Sequence, residues 1–155
     1  SGHLVLPSSH PLDNNKWSLV GDGAATLTTF LLALSNHNPR NLMKRGWKKR
    51  KSATEVNRDL WDGVNTLSDE VEQMAQRGLA NLGSVTNWQR SRLKGEKNLM
   101  LIHANFNNDE LSLGIRNSGT QAKISVSLRL SSSTNIDGLD RLVDSLVGHL
   151  KMKMG

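Results

Sequence analysis

Residues 98–131, NLMLIHANFNNDELSLGIRNSGTQAKISVSLRLS, alternate apolar and polar side chains through three successive runs. Met100, Ile102, Ala104 and Phe106 fall on one face of the first run, Leu111, Leu113 and Ile115 on one face of the second, and Ile124, Val126, Leu128 and Leu130 on one face of the third. A period of two marks a strand with one buried side. Between the runs stand Asn107-Asn108-Asp109-Glu110 and Asn117-Ser118-Gly119-Thr120, whose side chains favour turns. Connections this short join antiparallel neighbours, so the stretch predicts a three-stranded antiparallel meander with one face left for solvent or a partner.

Downstream, Leu139, Leu142, Val143, Leu146, Val147 and Leu150 share one helical stripe behind a cap at Thr134 or Asn135. A helix from Ile136 to Lys151 is expected to pack on the sheet. Upstream, Ser52-Ala53-Thr54-Glu55 reads as a capping box, and Val56, Leu60, Val64, Leu67, Val71 and Met74 then recur at three- and four-residue intervals. That pattern predicts a helix to about Arg77, stopped by Gly78. A further helix, Gly23 to Ser35 behind Asp22, and a short segment from Pro39 through Trp47 complete a helical N-terminal half. The first twenty residues, with Pro7 and Pro11, read as an extended arm pinned by Trp17. The expected organisation is therefore an arm over 1–20 and a single α+β domain over 21–155. Its helical part covers 21–80, and its meander plus helix covers 97–153.

Composition narrows the function. The chain has 155 residues, the size of one domain. Twenty Lys and Arg against 14 Asp and Glu give a net charge of +6, and the isoelectric point is near 10.0. Such a balance favours polyanionic partners. The absence of cysteine excludes disulfides, cysteine-type zinc sites and thiol catalysis. The same lack of cysteine favours a cytoplasmic or nuclear location, and the longest apolar stretch, Ala24 to Leu34, falls well short of the roughly 20 residues that cross a bilayer, so no transmembrane span is expected. The opening Ser1-Gly2-His3 is set aside from fold reasoning.

The main functional signal is RNLMKRGWKKRK, residues 40–51. Arg40, Lys44, Arg45, Lys48, Lys49, Arg50 and Lys51 surround Trp47 there. Clustered cations neutralise phosphates, and a tryptophan among them suits stacking on an unpaired base or a lipid headgroup boundary. The plainer reading is a solvated basic loop or a nuclear localisation signal that Trp47 anchors to the core. A second run, Arg90, Arg92, Lys94 and Lys97, follows Trp88. If the apolar side of the meander lies under the last helix, Arg116, Lys123 and Arg129, with His103, join Ser112, Ser125 and Ser127 on the other side. An exposed face of that composition fits a phosphate backbone, but it is more often that of an ordinary solvated sheet.

Between Ser52 and Ala75, Glu55, Asp59, Asp62, Asp69, Glu70 and Glu72 face only Arg58. This acidic face either docks on the basic patch of a second copy or complements its own helix dipole. Trp61 reads as core or interface. Enzymatic chemistry finds little footing. The five histidines are scattered, and phosphate-loop, dinucleotide and nucleophile-elbow motifs are missing. Asp69 and Glu70 diverge as helix neighbours. No catalytic residue, metal, cofactor or small-molecule substrate is expected.

The expected order of helix, three strands and helix over Ser52 to Gly155 is similar to that of double-stranded-RNA-binding domains and of the Alu-binding subunits of the signal recognition particle. The resemblance is one of order. Where the double-stranded-RNA domain has a lysine-rich start to its last helix, this chain has Ser132-Ser133-Thr134-Asn135-Ile136-Asp137. RNA binding would therefore fall to the segments 40–51 and 90–97. The expected function is non-enzymatic binding of nucleic acid, RNA first, through phosphate contacts and tryptophan stacking, with self-association into a nucleoprotein-like oligomer. The alternative is an oligomerising structural or matrix-type protein whose basic segment meets an anionic membrane surface or an acidic protein.

Overall fold

The computed structural model describes residues 6–10, 13–20, 27, 31, 46–132 and 136–155. The chain divides into two units, residues 1–44 and 45–155. In the first, β1 (Leu6–His10) and β2 (Asp13–Val20) pair antiparallel, with Leu6 opposite Val20 and an irregularity between Ser9 and His10. Leu27 and Leu31, one helical turn apart, are both helical and exposed. The rest of the helix expected over Gly23–Ser35, the segment from Pro39 and the Trp17 side chain lie outside the described residues, as do the caps expected at Thr134 and Asn135.

The second unit runs β3 (Lys48–Thr54), a short 3-10 turn (Arg58–Leu60), α1 (Thr66–Ala80), β4 (Val85–Ser91), β5 (Leu99–Phe106), β6 (Asp109–Asn117), β7 (Lys123–Leu130) and α2 (Leu139–Met154). Its sheet is antiparallel throughout, with strand order β3-β7-β6-β5-β4. The class is α+β, but two expectations are corrected. The sheet has five strands instead of three, and the supposed helical N-terminal half contains strand β3, with helix beginning again only at Thr66. The helix–three strands–helix order of the double-stranded-RNA-binding domains is likewise not the order found, because a strand precedes α1 and four follow it.

Local chemistry explains both corrections. The Ser52 hydroxyl lies 2.8 Å from that of Ser125 across the β3–β7 ladder, so it caps no helix. Glu55 adopts φ 57°, outside helical conformation. The intervening segment then follows short-range side-chain bonds: Asn57 Oδ1 accepts from the Asp59 amide at 3.1 Å, and Asp62 Oδ1 accepts from Val64 and Asn65 at 2.8 and 2.7 Å. Such Asx contacts compete with helix, and Gly63 at φ 80° ends any remaining continuity. The helix starts only at Thr66, where Asn65 accepts from the Ser68 amide at 3.0 Å. Strand β4 escapes a period-two reading because its register slips between Thr86 and Gln89 around Asn87, at φ 53°. The bulge places Val85 and Trp88, three residues apart, against the core.

One face of the sheet carries the core. Met100, Ile102, Phe106, Leu113, Ile115, Ile124, Val126 and Leu128 are almost wholly buried together with Val71, Ala75 and Leu79 of α1 and Leu139, Val143, Leu146 and Leu150 of α2. Each such aliphatic or aromatic side chain contributes about 1.5–3 kcal/mol of burial. Trp61, 2% exposed, closes one end and donates its indole N–H to Asn98 O at 3.2 Å. Helix α2 lies over β3 and β7 and beside α1, while α1 reaches β4. Both helices sit on the same face, and among the described residues of this unit nothing covers the opposite, open face.

Candidate functional site

The alternation of a strand divides the basic segment. In β3, Ala53 is buried in the core, so Lys49 and Lys51 point to the same helical side. There Lys49 Nζ lies 3.3 Å from Asp140, and Lys51 Nζ donates to Asp144 at 2.9 Å. The Lys51 hydrogen bond holds the Asp144 carboxyl below its ordinary pKa, with the charge of Lys49 adding to the effect. These two lysines fasten the edge strand to α2. Their neighbours Lys48 and Arg50 project from the other face and are exposed.

The ladder register builds the open face outward from these two residues. Lys48 is opposite Arg129, Arg50 opposite Ser127, Ser52 opposite Ser125 and Thr54 opposite Lys123. On the next strand Ser112 is opposite Arg129, Gly114 opposite Ser127 and Arg116 opposite Ser125. His103, opposite Ser112, extends the row to β5. Five cations, Lys48, Arg50, Arg116, Lys123 and Arg129, thus stand on three adjacent strands, separated by serines and a glycine. Neighbouring strands are about 4.8 Å apart, and successive side chains on one face of a strand are about 7 Å apart.

Few acids answer them. Glu110 lies at one end of the face, beside His103 and Arg129. Glu96, from the loop before β5, lies 3.0 Å from Arg116. Among the described residues, Lys48, Arg50, Lys123 and Arg129 form no ion pair. Lys48 directly opposite Arg129 places two like charges in register, which disfavours the strand pair. An anion between them removes that repulsion.

No protein-family model matches this chain, and no curated protein matches it.

The second basic run is scattered by the fold. Arg90 lies on the helical side, where it bonds Asp69 at 2.6 Å, Glu72 at 2.9 Å and Gly63 O at 2.7 Å. Trp88 is partly buried against the core and donates its indole N–H to Glu72 at 2.8 Å. Both hold α1 to the sheet edge. Arg92, Lys94 and Lys97 are exposed on the loop between β4 and β5. Trp47, partly buried on the core, borders a hollow with Gly46, Lys48, Arg129 and Leu130. Arg40, Lys44 and Arg45 lie outside the described residues. The acidic side chains expected to face a second copy are in part consumed internally, Asp69 and Glu72 by Arg90 and Glu70 by Lys153 at 3.4 Å.

Sequence reasoning passed over the division of Lys48–Lys51 between two faces, the hydroxyl pair Ser52–Ser125 and the carboxylate of Glu96. The first was recoverable, because reading KKRKSAT as a strand assigns Ala53 inward and Lys48 and Arg50 outward. Among the described residues no three His, Asp or Glu side chains gather to hold a metal, and no helix is long and apolar enough to cross a membrane.

Proposed function

We propose that the open face of the sheet binds the phosphate backbone of a nucleic acid, with little dependence on base sequence. The observation that carries this reading is the row of five cations on β3, β7 and β6, spaced by serines and Gly114 and facing away from the helical side, where cations and acids are paired. Small residues let a sugar–phosphate chain approach the sheet, and hydroxyls add weak donors without a charge preference of their own. Each contact releases counterions, which supplies affinity without base readout.

The geometry supports charge more than stacking. Trp88 is committed to Glu72 and the core, and the open face presents His103 as its ring, with Trp47 at the rim. Contacts to phosphate and sugar fit this surface better than a platform of stacked bases. A membrane surface would select apolar side chains among the cations, whereas serines and Gly114 occupy those places on β6 and β7 and the apolar Leu99 and Leu101 are confined to β5 beside them.

The test uses two variants of one strand. Lys48→Gln with Arg50→Gln removes two charges from the open face; Lys49→Gln with Lys51→Gln removes two from the helical face. Anisotropy with a labelled 12-nucleotide RNA should show weakened binding in the first variant and near-normal binding in the second. Equal weakening in both, or binding to anionic vesicles in place of RNA, would overturn the proposal.

A further inference from the structure

Three of the five cations do more than line a flat face. Arg50 of β3, Arg116 of β6 and Lys123 of β7 converge on one concavity of about 370 Å³, floored by Ser125 and walled by Ser118, Gly119, Thr120 and Gln121 of the β6–β7 turn. We propose that this hollow is a discrete site for a phosphate monoester, the terminal phosphate of a nucleic-acid strand lying on the open face. The proposal rests on the backbone-binding reading above and adds a preference for one end of the strand.

The turn is built to hold its shape. The Ser118 amide donates to Lys123 O at 2.8 Å, and the Ser118 hydroxyl accepts from the Gln121 and Thr120 amides at 3.2 and 3.4 Å. From behind, the Arg58 guanidinium donates to Gly119 O at 2.6 Å. The wall carrying Lys123 is therefore fixed relative to Arg50 and Arg116. On the floor, the hydroxyl of Ser125 lies 2.8 Å from that of Ser52 on the neighbouring strand. With Ser52 donating in this contact, Ser125 keeps its own hydrogen for an incoming oxygen. Ser125 is only 8% exposed, which keeps that donor poorly hydrated.

Charge distinguishes the monoester from the backbone. A backbone diester carries one negative charge, and the row elsewhere presents cations suited to single charges. A monoester carries about −1.5 to −2 at pH 7 and three terminal oxygens, which matches three cations and a hydroxyl lining one hollow. Arg116 is already drawn toward Glu96, 3.0 Å away, but both are well exposed and such surface pairs are weak. An arriving dianion competes with Glu96 for Arg116.

Binding of two 3′-labelled 12-nucleotide RNAs, one with a 5′-phosphate and one with a 5′-hydroxyl, tests the end preference. The phosphorylated strand should bind about tenfold tighter, the scale of added charge-assisted contacts. Arg50→Gln with Lys123→Gln should bring the ratio to about one, Lys48→Gln with Arg129→Gln should weaken both strands and keep the ratio, and Glu96→Gln should raise it. Tight, salt-sensitive binding with a ratio of one in the unmodified protein would overturn the end site and leave the sheet-face reading standing. Titration of the full chain with inorganic phosphate at constant ionic strength tests the hollow without nucleic acid. Amide shifts should concentrate on Arg50, Arg116, Ser118–Lys123 and Ser125. Their absence would overturn the site, as would shifts spread evenly over all exposed cations.

Discussion

Lys48 and Arg50 alternate with Lys49 and Lys51 along one strand, so two variants of equal charge can be set against each other. On single-stranded nucleic acid, each neutralised phosphate contributes about −0.7 to the slope of log K against log salt. On a strand with a 5′-hydroxyl, where no terminal monoester gathers Arg50, Arg116 and Lys123, five cations on the open face each meeting one backbone phosphate give a slope of about −3.5, or roughly a hundredfold loss of affinity between 50 and 200 mM salt. Replacing Lys48 and Arg50 by Gln lowers the slope to about −2.1, and the same change of salt then costs roughly twentyfold. The Lys49→Gln, Lys51→Gln variant loses the same formal charge but contacts no phosphate, and its slope stays near that of the parent. Cations outside the described residues contribute equally to all three proteins and cancel in the comparison. Anisotropy titrations of a labelled 12-nucleotide RNA at four salt concentrations give the slopes, and circular dichroism melts confirm that each variant folds. Equal reductions in both variants would refute the reasoning, since net charge alone would then govern affinity.

Two further outcomes follow from the helical face. Asp144 has a lowered pKa through Lys51, so the favourable contribution of its charge is complete above the ordinary value of 3.8 and is lost as pH falls through the lowered one. Carboxyl-detected NMR should place the Asp144 midpoint below 3.8, and Lys51→Met should return it toward that value. Arg90→Ala leaves Gly63 O and one carboxylate oxygen of Glu72 without a partner near a half-buried position, Trp88 still holding the other oxygen, so urea denaturation should show a loss of about 1–3 kcal/mol while RNA affinity in the folded protein is retained.

Legibility followed the spacing of apolar residues. Where side chains alternated strictly, as in Leu99–Phe106, Asp109–Asn117 and Lys123–Leu130, the sequence pointed to strands. Strand β3 was hidden because its inward positions are Lys49, Lys51 and Ala53; lysine stems and ion pairs to Asp140 and Asp144 replace the apolar side chains that a period-two search detects. Basic residues on an edge strand also discourage pairing with other chains, a role that local spacing does not reveal. Strand β4 was hidden by its bulge at Asn87, and the false helix start at Ser52 arose because a capping-box pattern is local, while the Ser125 hydroxyl that claims Ser52 lies 73 positions away. For the site, the outward placement of Arg116, Lys123 and Arg129 followed from alternation. Their union with Lys48 and Arg50 depended on β3 pairing with β7, a long-range choice that no neighbouring residue announces.

The central claim is that the open face, and not the helical face, meets nucleic acid. Lysine acetylation footprinting read by mass spectrometry, with and without saturating RNA at low salt, tests it within one strand. Protection of Lys48 and Lys123, with Lys49, Lys51 and Lys151 reacting as in the free protein, is the predicted result. Protection of Lys49 and Lys51 with Lys48 and Lys123 unchanged would contradict it.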